Sequence, residues 1–159
     1  MTPDSSAATQ YVTFRVAGHF FGIASVDVQE VLQEQRVTHV PLAPAAVEGL
    51  INLRGQIVPA VDVRRRLRLA EEEKTANPPS IVVRTPHGPV SLQVDLVGDV
   101  LELGASSYEP PPVNLDADLL ALVRGVYKLE DQLLLVLDAG QTAGLGSSGA
   151  APRAAATSA

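Results

Sequence analysis

The chain is expected to fold as a mostly β protein made of two similar small barrel units in tandem, and three observations carry that expectation. Residues 49–62 read Gly-Leu-Ile-Asn-Leu-Arg-Gly-Gln-Ile-Val-Pro-Ala-Val-Asp, and residues 125–138 echo them without a gap as Gly-Val-Tyr-Lys-Leu-Glu-Asp-Gln-Leu-Leu-Leu-Val-Leu-Asp. Gly, Leu, Gln and Asp coincide, and apolar residues face apolar residues at most other positions. A second echo lies upstream in the same order, Val28-Gln29-Glu30-Val31-Leu32 against Val97-Gly98-Asp99-Val100-Leu101. Each of these shorter segments follows a run in which apolar residues alternate with polar ones, the period of a half-buried strand. A duplicated small barrel has two equivalent faces and a groove between them, a geometry for holding partners rather than substrates.

The first unit is expected over residues 11–69. Residues 11–16 alternate, Gly18-His19 supplies a turn, and residues 20–24 complete a hairpin. Val26, Val28, Val31 and Leu32 form an apolar set whose spacing fits a brief turn followed by a strand better than one irregular strand. Pro41 and Pro44 bracket a loop, and residues 44–47 suit a single helical turn because proline is tolerated at its first position. Residues 47–53 and 56–61 read as two strands joined at Arg54-Gly55, where glycine supplies positive φ. Pro59 cannot donate to a ladder, so its strand is an edge or carries a bulge there. Asp62 is placed to cap a short helix over residues 63–69. The charged stretch 70–79, ending Asn-Pro-Pro, reads as a linker.

The second unit, over residues 80–140, repeats the scheme. Strands are expected at 80–85, 90–94 and 97–103, with Pro86-His87-Gly88-Pro89 as the first turn. Asp99 lies seven residues farther from Gly125 than Glu30 lies from Gly49. That insertion holds Pro110-Pro111-Pro112 and a short amphipathic helix over 115–122, whose leucines, with Val123, are expected to cap the core. Residues 123–128 and 132–137 form the last hairpin, and Asp138 can cap a final turn. Residues 1–10 and 144–159 are rich in Ala, Ser, Thr and Gly and read as disordered tails, leaving a domain over 11–143.

Composition bounds the function. With 159 residues, 46% of them hydrophobic, a true core is expected, in one domain or two intimately packed halves. No cysteine is present, so disulfides and thiolate metal sites are excluded. The start lacks the basic and apolar regions of a signal peptide, and no apolar run approaches the roughly 18 residues of a membrane span. A soluble, cytoplasmic protein without direct membrane insertion is expected. The net charge of -6 argues against nucleic acid, which is bound through clustered Lys and Arg. The one basic run, Arg64-Arg65-Arg66 with Arg68, is followed by Glu71-Glu72-Glu73 and reads as a solvated helix face.

No constellation for catalysis stands out. His19, His39 and His87 sit in or beside turns without partners at metal-ligand spacing. There is no phosphate-binding glycine loop, nucleophile elbow or paired-carboxylate motif, and the serines concentrate in the tails. We therefore expect no enzyme, no cofactor and no metal. The conspicuous polar element is Asn52-Leu53-Arg54-Gly55 between two nearly continuous apolar strands. Two readings stay open: Asn52 bonds backbone while Arg54 pairs with a local carboxylate, or Arg54 projects from a rigid tip as an interface hot spot.

Residues 49–62, with Phe21-Gly22-Ile23, Val28-Gln29-Glu30-Val31 and the run 90–101, resemble the CheW-like family of bacterial chemotaxis coupling proteins and the matching regulatory domain of the chemotaxis histidine kinase. The resemblance covers about residues 11–140. It implies two five-stranded SH3-like barrels packed around a shared apolar layer, with a few short helices. It also implies two partners, a CheA-type histidine kinase held through its own CheW-like domain and the cytoplasmic tip of chemoreceptors held in the groove between barrels. By position, Val28, Glu30 and Val31 would lie on the partner-facing edge of the first barrel, with Asn52, Arg54 and Gly55 at or beneath that surface. Val97, Asp99 and Val100 would line the opposite wall, and Val12 is a further candidate for kinase contact. Ala24-Ser25 departs from the acidic residue many members carry there. A CheW-like adaptor in a non-chemotaxis pathway would share every motif. A tandem SH3-like peptide or nucleic-acid binder is disfavoured by the acidic balance and by only 4% aromatic residues, too few for stacking platforms.

Overall fold

Alternation and turn chemistry shape the first hairpin in the computed structural model, which describes residues 8–39, 47–69 and 77–144. β1 (Ala8–Val16) and β2 (His19–Ala24) pair antiparallel through Ala17 and Gly18, both at positive φ, as a two-residue turn requires. β1 begins at Ala8 rather than at residue 11, because Ala8, Thr9 and Gln10 pair with Gly104, Leu103 and Glu102. A 3-10 turn, Ser25–Asp27, leads into β3 (Val28–Leu32), the turn and strand expected there. β4 (Val47–Leu53) and β5 (Gln56–Asp62) form the second hairpin. Asp62 caps α1 (Val63–Arg66) by accepting from the Arg64 amide. That helix is shorter than expected, and Arg68 at φ 57 has already left it.

β6 (Ser80–Thr85), β7 (Gly88–Gln93) and β8 (Leu96–Gly104) follow, then a 3-10 turn (Ala105–Ser107) and β9 (Tyr108–Glu109). The helix expected over 115–122 is the single turn α2 (Ala117–Leu120), yet Leu119, Leu122 and Val123 are buried in the core as expected. β10 (Val123–Lys128) and β11 (Leu133–Leu137) close the chain with α3 (Ala139–Ala143), capped by Asp138. The turn expected over 44–46, the charged linker over 70–76, and residues 1–7 and 145–159 of the expected tails lie outside the described residues.

Strand order departs from the two sequential barrels expected at 11–69 and 80–140. One sheet runs β8-β1-β2-β11-β10-β9 and the other β3-β6-β7-β5-β4. The two units have exchanged their leading hairpins. β1–β2 sits between β8, antiparallel to β1, and β11, parallel to β2. β6–β7 sits the same way between β3 and β5. The physical reason is burial: the exchange brings the inward faces of both hairpins into one layer. Val12, Phe14, Phe21 and Ile23 there meet Ile81, Val83, Val90 and Leu92. Smaller clusters fill each barrel. Ile51, Leu53, Val58, Ala60 and Val82 occupy the five-stranded one, and Tyr11, Tyr127, Leu134 and Val136 the six-stranded one.

Pro59 is in β5, which is not an edge strand, but β7 pairs with β5 only from Ala60 onward. Counting from the two-residue turn, the Pro59–Leu50 pair is a non-hydrogen-bonded one, so its nitrogen points to the side that has no neighbour yet.

The basic run is a solvated face only at Arg65 and Arg68, which are exposed. Arg64 is 7% exposed. Its Nη2 donates at 2.5 Å to Asp95, which also accepts from the Ala17 amide between β1 and β2. Arg66 donates to the carbonyls of Gln141 and Thr142 in α3. Arg65 lies 3.7 Å from Glu48 and 3.6 Å from Asp62. These guanidinium groups tie α1 to neighbouring elements, because the helix sits among strand ends and loops of both sheets.

Candidate partner-binding surface

The Asn52-Leu53-Arg54-Gly55 tip is a rigid object. Arg54 (φ 51) and Gly55 (φ 87) form a two-residue turn with both φ positive, and Asn52 Oδ1 accepts from the Gly55 amide at 2.8 Å. From that turn Arg54 reaches β3, where Nη1 and Nη2 each donate at 2.6 Å to the two carboxylate oxygens of Glu30. β3 and β4 are the outer strands of the five-stranded sheet. The pair therefore spans the seam at which that sheet curls onto itself, in the parallel fork geometry that makes Arg–carboxylate contacts strong. Hydrogen bonding from Arg54 holds the Glu30 carboxyl below the usual range, and the same bond raises the Arg54 pKa. The bracing reading of Arg54 thus describes its geometry, while 70% of its side chain still meets solvent.

Glu30 is aimed at the seam by a bulge. Val28 pairs with Val83 and Glu30 with Val82, so Gln29 is the extra residue. Val28 and Val31, half-buried, pack against the shared layer. β8 carries the matching irregularity: Val97 pairs with Phe14 and Val100 with Val12, leaving Gly98 and Asp99 opposite Thr13. The Thr13 hydroxyl donates to the Asp99 carbonyl at 2.5 Å. A Cβ at Gly98 would come within 2.7 Å of that hydroxyl oxygen, so glycine lets this bulge close.

The site residues read from the sequence fall into two groups. Val28, Glu30, Val31, Asn52, Arg54 and Gly55 gather at the seam of the five-stranded barrel. Val97, Asp99 and Val100 lie on β8, one of the two outer strands of the other sheet. β3 and β8 are not hydrogen-bonded to each other, and what joins them is the shared layer, on which Val28, Val31 and Val97 all pack. Val12 is a correction: it is 5% exposed inside that layer, because the exchanged hairpin turns it inward, so its side chain cannot contact a kinase. The sequence reading missed Ile57 and Leu96, which are 59% and 63% exposed. Alternation held the signal for Ile57, since buried Val58 and Ala60 fix the inward phase of β5 and turn Ile57 outward.

Of the remaining polar groups, His39 Nδ1 lies 3.4 Å from a Glu48 carboxylate oxygen and His19 stacks on Phe21 with ring centroids 5.9 Å apart. Among the described residues no group of three or more His, Asp or Glu could hold a metal ion. No helix among them is long and apolar enough to cross a membrane.

Comparison with known proteins bears on this surface. The family model described as CheW-like domain matches residues 10–144. Chemotaxis protein CheW of Bacillus subtilis is 30% identical over 139 residues, covering 87% of this chain and 89% of that one. Its namesake in Rhizobium meliloti is 30% identical over 134 residues, covering 84% and 86%. Protein FrzA of Myxococcus xanthus is 28% identical over 123 residues, covering 74% and 77%. Among solved structures, the scaffolding protein TtCheW from Thermoanaerobacter tengcongensis superposes with a TM-score of 0.77 at 30% identity, over 85% of this chain and 92% of that one. With both barrels inside the matched region, the chain belongs to the CheW-like domain family.

Proposed function

We propose that the protein is a non-enzymatic scaffold that couples chemoreceptors to a CheA-type histidine kinase in the cytoplasm, at receptor arrays it reaches through its partners. One observation carries the reading: a family match that takes in both barrels, and with them two separate outer strands on one rigid core. The relatives named chemotaxis proteins and the solved scaffolding protein support it.

In this reading the receptor tip lies along β3 and β8. Val28, Glu30 and Val31 form one wall, Val97, Asp99 and Val100 the other, and Asn52, Arg54 and Gly55 form the rim. The kinase's regulatory domain docks on a barrel face. Each interface is modest, on the order of 1,000 to 1,200 Å2 with micromolar affinity, and array strength comes from multivalency. The test is calorimetric titration of the protein with a receptor cytoplasmic fragment and, separately, with the kinase regulatory domain. Independent binding of both, and a three-component complex on gel filtration, is the expected result. Failure to bind either one removes the coupling role.

A further inference from the structure

Among the described residues β9 (Tyr108–Glu109) is the shortest strand, yet it forms one edge of the six-stranded sheet. Its backbone hold on β10 is a single pair. Counting from the tip, where the Leu129 amide donates to the Gln132 carbonyl, Tyr127 turns its N–H and C=O toward β11, and Val126 turns its own outward to Glu109. Tyr108 adds no such bond, because its amide donates to the Ala105 carbonyl inside the 3-10 turn. Nor can the strand lengthen, since Pro110-Pro111-Pro112 follows and has no N–H to give.

The rest of the hold is the Tyr108 ring. It covers Gly125, where any Cβ would collide with it, and it tilts against the buried Tyr127 ring with centroids 5.2 Å apart. Among the described residues the Tyr108 hydroxyl makes no hydrogen bond, whereas those of Tyr127 and Tyr11 bond to each other at 3.0 Å. Glu109 adds a 3.5 Å contact to Lys128, but both side chains are exposed and water screens the pair. The flanks are unpacked. No residue of the turn Ala105–Ser107 is buried, a Cβ at Gly104 would meet nothing within 4 Å, and Val113 beyond the prolines is 94% exposed. No residue of 105–112 belongs to any of the three apolar clusters.

We infer that residues 105–112 form a strap that opens over the six-stranded barrel while both sheets stay folded, hinged at Gly104 and Val113 and latched by the Tyr108 ring on Gly125. Opening breaks the Glu109–Val126 pair and bares one edge of β10 with the face of Tyr127. It leaves every core cluster intact, so it takes far less free energy than global unfolding. An unpaired strand edge is a template for another strand, and the latch therefore decides when β10 is available to one.

Native-state hydrogen exchange, followed by NMR at increasing urea, tests the strap on two neighbouring amides of β10. The Val126 amide, bonded to the strap, should exchange at least about 100-fold faster than that of Tyr127 after correction for intrinsic rates, and low urea should leave its rate unchanged. Tyr127, bonded to β11, should exchange only with global unfolding. Tyr108→Ala removes the latch and should speed Val126 exchange a further tenfold or so, leaving Tyr127 exchange unchanged within about threefold. Tyr108→Phe keeps the ring and should match the wild type. Val126 and Tyr127 exchanging together, with the same urea dependence, overturns the strap, and this comparison decides even where Tyr108→Ala does not fold. Val126 exchange that ignores Tyr108→Ala, or responds equally to Tyr108→Phe, overturns the ring as its latch.

Discussion

At the scale of single residues, the Arg54–Glu30 pair is the local carboxylate contact of one of the two readings the sequence left open, and pH can read it. The Glu30 carboxyl is depressed by its bonds from Arg54. A depressed folded-state pKa means the pair's contribution is present above the unfolded value, about 4.3 for glutamate, and is lost as pH falls through the folded one. Melting temperatures measured from pH 6 to pH 3 should therefore decline less steeply for Glu30→Gln than for the wild type. Coincident slopes would show that the ion pair adds nothing in solution. Arg54→Ala should leave a folded protein, since the turn keeps its Asn52 bond, but weaken receptor binding through loss of the rim charge. Unchanged affinity for both partners would leave Arg54 with bracing alone. The sequence made the local chemistry of Asn52 and Arg54 legible because both act within or beside their own hairpin. It could not make Glu30 the named partner, because β3 reaches β4 only when the whole sheet curls.

At the scale of elements, the glycine that opens each long echo has a job the pattern did not reveal. Gly49 lies under the bridge from Thr38 to Leu50, and a Cβ there would fall inside the Thr38 carbonyl. Gly125 lies under β9, where a Cβ would meet the Tyr108 ring. The same device thus covers both barrels, but the covering atoms differ in freedom. The Thr38 carbonyl accepts from the Leu50 amide at 2.8 Å and cannot yield without breaking that bridge. Tyr108 is 39% exposed and its ring can swing. Urea unfolding should show Gly49→Ala destabilising by about 1–3 kcal/mol and Gly125→Ala by clearly less. Equal losses would mean that Tyr108 is pinned as firmly as the bridge. Strand and turn boundaries were largely legible, since alternation and turn glycines are local signals. The helices were overextended: residues 63–69 and 115–122 shrank to Val63–Arg66 and Ala117–Leu120. Apolar spacing marks what is buried, not how far the backbone stays helical, and Leu67 and Leu122 are buried from outside any helix.

At the scale of the whole molecule, the exchanged hairpins decide how the protein holds together, and the sequence was silent about them. The echoes show that strands recur in order. They do not say whether a hairpin pairs within its own half, and neighbouring elements usually do pair with each other. The burial of Arg64 was hidden for the same reason, because its partner Asp95 belongs to the other half of the chain. The exchange has a thermodynamic consequence. Neither half can keep a complete sheet without a hairpin from the other, and both hairpins meet in one layer, so the barrels should lack independent stability. Phe21, fully buried in β2, provides the probe. Phe21→Ala should cost about 3–5 kcal/mol. Native-state hydrogen exchange should then show the loss in β5, β6 and β7 as fully as in β1 and β11, with one calorimetric transition whose enthalpy matches the van't Hoff value. Loss confined to the six-stranded sheet, or two resolved transitions, would mean that the barrels unfold separately despite the exchange. A single transition would mean that strain at either outer strand is felt across the shared layer, so a partner bound on one barrel meets a rigid support that includes the other.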